Sequence, residues 1–197
     1  MVKKLLAGVA VVILGFVAFV ATRPAEFVYL RKTTISAPPE IIFATLADFH
    51  NWADWSPWDD MDPKMERKYE GSPTGQGAIY SWKGNDKVGE GRMTITEARP
   101  NDFISIKLEF LKPFEATNTT TFTITPGPAT EVVWKMEGKN AFVSKAAGVF
   151  MNMEKMIGDD FEKGLAKLKT LTEAKAKAVP PPAPMEAPPV DADAGTP

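Results

Sequence analysis

Hydrophobic and polar positions divide the chain into three unlike stretches. From Leu5 to Ala21, seventeen consecutive residues are drawn only from Leu, Ala, Gly, Val, Ile and Phe. At about 1.5 Å per residue this run predicts a helix roughly 26 Å long, the short end of what a bilayer core requires. From Phe27 the pattern becomes periodic. Phe27–Ser36 alternates and is rich in β-branched residues, which predicts a strand. Ala37-Pro38-Pro39-Glu40 then opens a helix with Ile41, Ile42, Phe43 and Leu46 as its apolar stripe. Asp48–Pro63 is aromatic-rich without a period and reads as a long irregular connection.

Six further strands are predicted at Met65–Glu70, Ala78–Lys83, Gly91–Ala98, Phe103–Leu111, Ala116–Thr125 and Val132–Gly138. Gly84-Asn85-Asp86 marks a tight hairpin between Ala78–Lys83 and the segment from Lys87 onward. After Phe142 the period lengthens: Ala146, Phe150, Met153, Ile157, Phe161, Leu165 and Leu168 step by three or four, which predicts one long amphipathic helix to Leu171. Gly158 and Gly164 weaken it by up to about 1 kcal/mol each relative to Ala, so packing must hold it.

Consecutive strands joined by short turns make an antiparallel meander, and a helix with one apolar face can cover its concave side. Alternation assigns the faces. Ile104, Ile106, Leu108 and Phe110 point inward, with Phe122 and Ile124 from the next strand and Val132, Trp134 and Met136 from the last. Asn118 and Thr120 share the face of Phe122, so they too point inward and need hydrogen-bond partners. Glu90 and Arg92 share a face of their strand and suit an ordinary ion pair.

The two ends stand apart from this domain. Lys3 and Lys4 precede the apolar run, and Thr22, Arg23 and Pro24 close it. A cleaved signal peptide has the same layout, but cutting after Ala18, Ala21 or Ala25 places Phe16, Phe19 or Arg23 where signal peptidase requires a small residue. An uncleaved anchor is therefore favoured, with the short basic tail inside and the domain outside. At the other end, Val179–Pro197 holds seven of the 17 prolines and almost no large apolar residue, which reads as an extended, disordered tail. The divisions are residues 1–26 as anchor and linker, 27–172 as the folded domain, and 173–197 as the tail.

Composition removes most enzyme chemistries. The chain has no Cys and one His, so thiolate nucleophiles, disulfides, Cys-ligated zinc and multi-histidine metal sites are out of reach within one chain. Its formal net charge of -2 lacks a nucleic-acid signature. The aspartates at 48, 54, 59, 60 and 62 lack the spacing and central Gly of a calcium loop. His50 reads as structural or solvent-exposed. Residues 71–77 lack the Lys and following helix of a phosphate loop. No carboxylate stands out as a general acid or base, so no catalytic residue, cofactor or metal ligand is assigned. Three of five tryptophans, Trp52, Trp55 and Trp58, fall within seven residues, which suits a lid, a membrane-facing loop or a small local core.

These residues together resemble the SRPBCC superfamily (START-like or Bet v 1-like), and within it the bacterial polyketide cyclase/dehydrase-type group. The stretches carrying the resemblance are Ile35-Ser36-Ala37-Pro38-Pro39-Glu40 with Phe43, Trp52 to Trp58, Gly77 to Trp82, Gly89 to Ile95, Phe110 to Phe114, and Phe161 to Leu165. The resemblance spans about Phe27–Leu171. It implies an α+β helix-grip fold, in which about seven strands form a curved antiparallel sheet wrapped on a long C-terminal helix. It also implies a hydrophobic cavity between sheet and helix. Its walls would be Trp82, Met93, Phe110, Phe122, Trp134, Phe150, Met153 and Ile157, with Trp55 and Trp58 near the entrance. On the residues alone, the partner of Asn118 is either a ligand oxygen or a group within the protein, and Met151, Met153 and Met156 suit either an adaptable wall or helix-core packing.

The expected partner is a lipid or other hydrophobic small molecule, and the expected setting is a single-pass bacterial inner-membrane protein with its domain on the periplasmic side. Two other readings stand beside it: a cyclase-like enzyme using the same cavity, and a ligand-free interaction module.

Overall fold

The computed structural model describes residues 1–178; the proline-rich tail expected from Val179 onward lies outside them. The apolar run forms α1 (Val2–Ala21), a helix of the length and composition found in membrane spans and signal sequences. It is followed by β1 (Glu26–Ile35), α2 (Pro39–Ala47), a 3-10 helix (Phe49–Asp54), α3 (Pro57–Met61), β2 (Glu66–Gly71), β3 (Ala78–Lys83), β4 (Glu90–Arg99), β5 (Phe103–Lys112), β6 (Ala116–Thr125), β7 (Thr130–Lys139), α4 (Phe142–Phe150) and α5 (Met153–Ala178).

The strands form one seven-stranded antiparallel sheet in the order β1-β7-β6-β5-β4-β3-β2. The meander from β2 to β7 follows from short turns, and β1 closes it by pairing with β7 from Glu26 opposite Lys139 to Ile35 opposite Thr130. Register shifts at Glu90/Gly91 and Ile95/Glu97 bend β4, as extra residues in one strand do. Ile104, Ile106, Phe122, Ile124, Val132, Trp134 and Met136 are buried on the concave face. The architecture is the antiparallel meander expected from the pattern, in the helix-grip form that the resemblance implies.

The apolar face of α5 presents Phe161, Leu165, Leu168 and Thr172, all buried, at helical spacing. Each large apolar side chain contributes about 1.5–3 kcal/mol on burial. The two glycines that weaken the helix allow it to lie close to the sheet. A Cβ on Gly164 would stand 2.8 Å from Trp134 Cζ3 and 3.2 Å from Pro57 Cδ. A Cβ on Gly158 would occupy the place of the Arg31 guanidinium. From there Arg31 reaches Glu154 at 2.9 Å and Glu162 at 2.7 Å, one on either side along the helix.

Four expectations need correction. The long C-terminal helix is two helices. The backbone is extended at Met151, and the Asn152 side chain accepts a hydrogen bond from the Lys155 N–H at 3.0 Å, capping the start of α5. The connection at Asp48–Pro63 is helical in two short pieces; Asp48 Oδ1 accepts from the His50 N–H at 2.9 Å and starts the first. The hairpin after β3 is longer than a tight turn. Residues 84–89 bridge it, Gly84 N–H donates to Gly89 O at 2.9 Å, and Gly89 takes φ +64°, a region that favours glycine. Finally, Glu90 and Arg92 do not pair with each other. Arg92 pairs with Glu109 at 3.0 Å and Glu90 with Lys112 at 2.9 Å, across the β4–β5 ladder.

Candidate functional site: a cavity under the C-terminal helix

Between α5 and the concave face lies a cavity of about 180 Å³. Its floor is an aromatic stack. Phe161 of α5 lies parallel on Trp134 of β7, ring centres 4.1 Å apart, and Trp58 stands edge-on to both at 6.4 and 5.9 Å. Trp58 takes this position because Pro57 begins α3 at its first turn. Beneath, Trp52 is fixed by its indole N–H donating to Leu46 O at 2.9 Å.

Near the mouth, Trp82 donates to Val88 O at 3.1 Å and meets Phe110 edge-on at 6.1 Å. The Trp82 ring lies over Gly91, leaving no room there for a Cβ. The glycine opposite Trp82 in the β3–β4 register thus sets the position of the indole. Met65, Met93 and Met136 complete the apolar wall with Leu108 and Ile157, and their unbranched side chains can adapt to a guest.

A small polar group faces the same space. Asp59, Tyr80, Ser56 and Thr120 line the cavity. Arg67 of β2 holds Asp59, its Nε donating to Asp59 Oδ1 at 3.0 Å and its Nη2 to the same oxygen, while Nη1 donates to Met65 O at 3.1 Å. Burial pushes the Tyr80 phenol well above its ordinary pKa, with the Asp59 charge adding to the effect. Tyr80 is therefore a protonated donor at neutral pH and not a base. The indole N–H groups of Trp134, which lines the cavity, and of Trp55, which does not, are both buried without an acceptor, an uncommon state for a buried Trp. Among the described residues no three His, Asp or Glu side chains come together as a metal site.

Of the candidate residues from the sequence, the fold brings Trp58, Trp82, Met93, Phe110, Trp134 and Ile157 to the cavity. Neither tryptophan expected near an entrance stands at one: Trp55, at 0% exposure, is inside the core and edge-on to Trp134 and Phe122, and Trp58 stands in the floor stack with Phe161 and Trp134. The 3-10 helix turns the Trp55 side chain under the sheet. Phe122 and Asn118 are buried beside the cavity without lining it; the Asn118 carboxamide fills the space above Gly138, and its oxygen lacks a donor. Phe150 and Met153 lie outside, because the break at Met151–Asn152 turns α4 away from the sheet. Met151 and Met156 are likewise exposed.

Sequence reasoning missed Asp59, Arg67 and Tyr80 as a unit. Tyr80 sits on the inward alternation of β3, a signal that was present. The Asp59–Arg67 pairing joins a helix to a strand and has no periodic trace.

A family model described as polyketide cyclase / dehydrase and lipid transport matches residues 29–173. Solved structures share the fold at low identity. A protein from Mesorhizobium loti superposes with a TM-score of 0.56 at 18% identity, covering 75% of this chain and 98% of its own. The Aha1 dimer from Colwellia psychrerythraea gives 0.53 at 15%, covering 75% and 96%. The di-domain ARO/CYC StfQ from the steffimycin biosynthetic pathway gives 0.57 at 12%, covering 78% of this chain and 52% of that one. No curated protein matches the sequence. The family match covers most of the chain and coincides with the sheet, the long helix and the cavity between them: the chain belongs to the polyketide cyclase/dehydrase and lipid transport family of the SRPBCC superfamily.

Proposed function

We propose that this protein is a membrane-tethered binding module that holds a hydrophobic small molecule, of lipid or polyketide type, in the cavity beneath α5. The observation that carries this reading is the cavity itself. It is walled by Trp58, Trp82, Met93, Leu108, Phe110, Trp134 and Ile157 and contains only a few polar groups, the composition of small-molecule sites in general. Its volume is below the roughly 300 Å³ at which drug-sized pockets begin, so a ring system or a short acyl segment fits as it stands. A longer guest requires the methionines to move.

The unpartnered Trp134 N–H and the protonated Tyr80 favour a guest with an acceptor oxygen on an apolar body. α1 would keep such a poorly soluble molecule near the bilayer, and its flanking Lys3 and Lys4 favour placing the domain outside the cytoplasm.

Full-length protein released from membranes in polymer-bounded lipid discs and ejected in a native mass spectrometer tests this. The expected spectrum shows one small apolar adduct per chain, recoverable by organic extraction. A spectrum with only the bare chain and bulk lipid, unchanged by added fatty acid or bicyclic aromatic, contradicts it. A second reading, acid-assisted chemistry on the guest, draws on Tyr80 and the Asp59–Arg67 pair facing the same space. It requires the extracted guest to differ in mass from the molecule supplied.

A further inference from the structure

We propose that α4 and the β5–β6 turn form an apolar platform that lies in the lipid interface and seats the mouth of the cavity on the bilayer. This rests on the reading of α1 as a membrane helix. The register of the sheet shows which parts meet. Glu26 pairs with Lys139, Gly138 with Asn118, Ala116 with Phe110, and Glu90 with both Lys112 and Lys83. The start of β1, the end of β7, the β5–β6 turn and the β3–β4 loop therefore share one end of the sheet. α1 enters this end and α4 leaves it.

The exposed apolar side chains gather there. Outside α1 and the Met1 that precedes it, the exposed large hydrophobics of the described residues are Val28 and Leu30 on the outer face of β1, Met156 in the first turns of α5, and, at this end, Leu111, Phe114, Phe142, Val143, Phe150 and Met151. Phe114 is 66% exposed and Phe150 79%. A folded domain has no reason to display such residues in one cluster to water. α4 buries none of its nine residues and carries one charge, Lys145.

Three observations identify the bilayer as what covers them. Only Thr22–Ala25 separate α1 from β1, and four residues span at most about 14 Å. The linker is further pinned, with the Asn140 N–H donating to Ala25 O at 2.8 Å and its carboxamide donating to Pro24 O at 3.3 Å. Most directly, α4 packs against α1, with the Phe150 ring 6.0 Å from that of Phe16. Phe16 lies five residues before the end of α1, or about 7.5 Å down its axis. A helix at that level lies within the roughly 5–10 Å depth of interfacial helices.

Charges supply little of the attraction. The charges at this end are mixed, with Arg23, Lys83, Lys87, Lys112, Lys139 and Lys145 set against Glu26, Asp86, Glu90 and Glu115, a small basic excess, so seating depends mainly on apolar contact. Of the residues lining the cavity, Lys87 is exposed and Trp58, Trp82, Val88, Leu108, Phe110 and Ile157 are half-buried; Trp82, Lys87, Val88 and Phe110 among them come from the same end. Seating would thus open the cavity toward lipid and spare an apolar guest a passage through water.

The absence of Cys makes single labels simple to place. Leu14→Cys in α1, Phe114→Cys and Val143→Cys on the platform, and Gln76→Cys in the β2–β3 turn at the far end are each spin-labelled in the full chain in phosphatidylcholine nanodiscs. Accessibility to oxygen, which concentrates in lipid, is compared with accessibility to a water-soluble nickel chelate. The proposal expects positions 14, 114 and 143 to favour oxygen and position 76 to favour nickel, with little change when anionic lipid is added. Position 14 in lipid with 114 and 143 behaving like 76 overturns the platform and leaves the membrane helix standing. Position 14 in water overturns the membrane helix and the platform with it.

Discussion

Leu108→Trp is expected to abolish adduct formation while leaving the domain folded. Leu108 stands in the middle of β5, opposite Met93 on one side and Asn118 on the other, and its side chain lines the cavity. An indole at this position enters space now open to a guest. Filling existing space avoids the 1–3 kcal/mol that overpacking a dense core costs, so we expect a stability change of less than about 1 kcal/mol. Affinity for a fatty acid or bicyclic aromatic should fall at least about tenfold, equivalent to 1.4 kcal/mol. Adduct intensity in native mass spectra and the urea midpoint of tryptophan fluorescence measure the two effects. Unchanged adduct intensity would move the binding site elsewhere on the molecule.

Phe161→Ala has the opposite signature, a large loss of stability. Phe161 is 1% exposed and stacks on Trp134, linking α5 to the floor of the cavity. Removing a buried aromatic ring costs about 3–5 kcal/mol, a substantial part of what holds a domain of this size together. The α5 helix has little intrinsic reason to stay, since Gly158 and Gly164 interrupt it and the Arg31 clasp to Glu154 and Glu162 is solvent-exposed on the carboxylate side, where ion pairs contribute little. A urea midpoint close to that of the unaltered protein would show that the helix is held by something other than this stack.

The fold was legible in the sequence wherever period and burial coincide. Alternation in β5, β6 and β7 named the inward faces because one side of each strand meets the core and the other meets water. The C-terminal periodicity named Phe161, Leu165 and Leu168 for the same reason. It failed at Phe150 and Met153, whose spacing continues the helical step across the break. Asn152 was the available signal, as a capping residue amid apolar ones.

The site was less legible, because its geometry depends on pairs distant in sequence. Trp82 takes its position from Gly91, across a hairpin whose length was underestimated. Asp59 is held by Arg67, and neither residue carries a pattern of its own. The resemblance implies Trp55 near an entrance, and the residues alone do not correct it, because a cluster of tryptophans in an irregular segment looks the same whether it is a lid or a buried floor. The 3-10 helix decided for the floor.

The most direct test of a ligand cavity uses the methionine methyl groups in the full-length protein labelled with carbon-13 at those methyls. Met65, Met93 and Met136 line the cavity, whereas Met151 and Met156 lie on the exterior. On titration with a bicyclic aromatic diol, the account predicts that the three cavity methyls shift along one saturable curve, while the exterior methyls show at most a non-saturable drift. Saturable shifts confined to Met151 and Met156, or cavity methyls that stay unmoved, would contradict it.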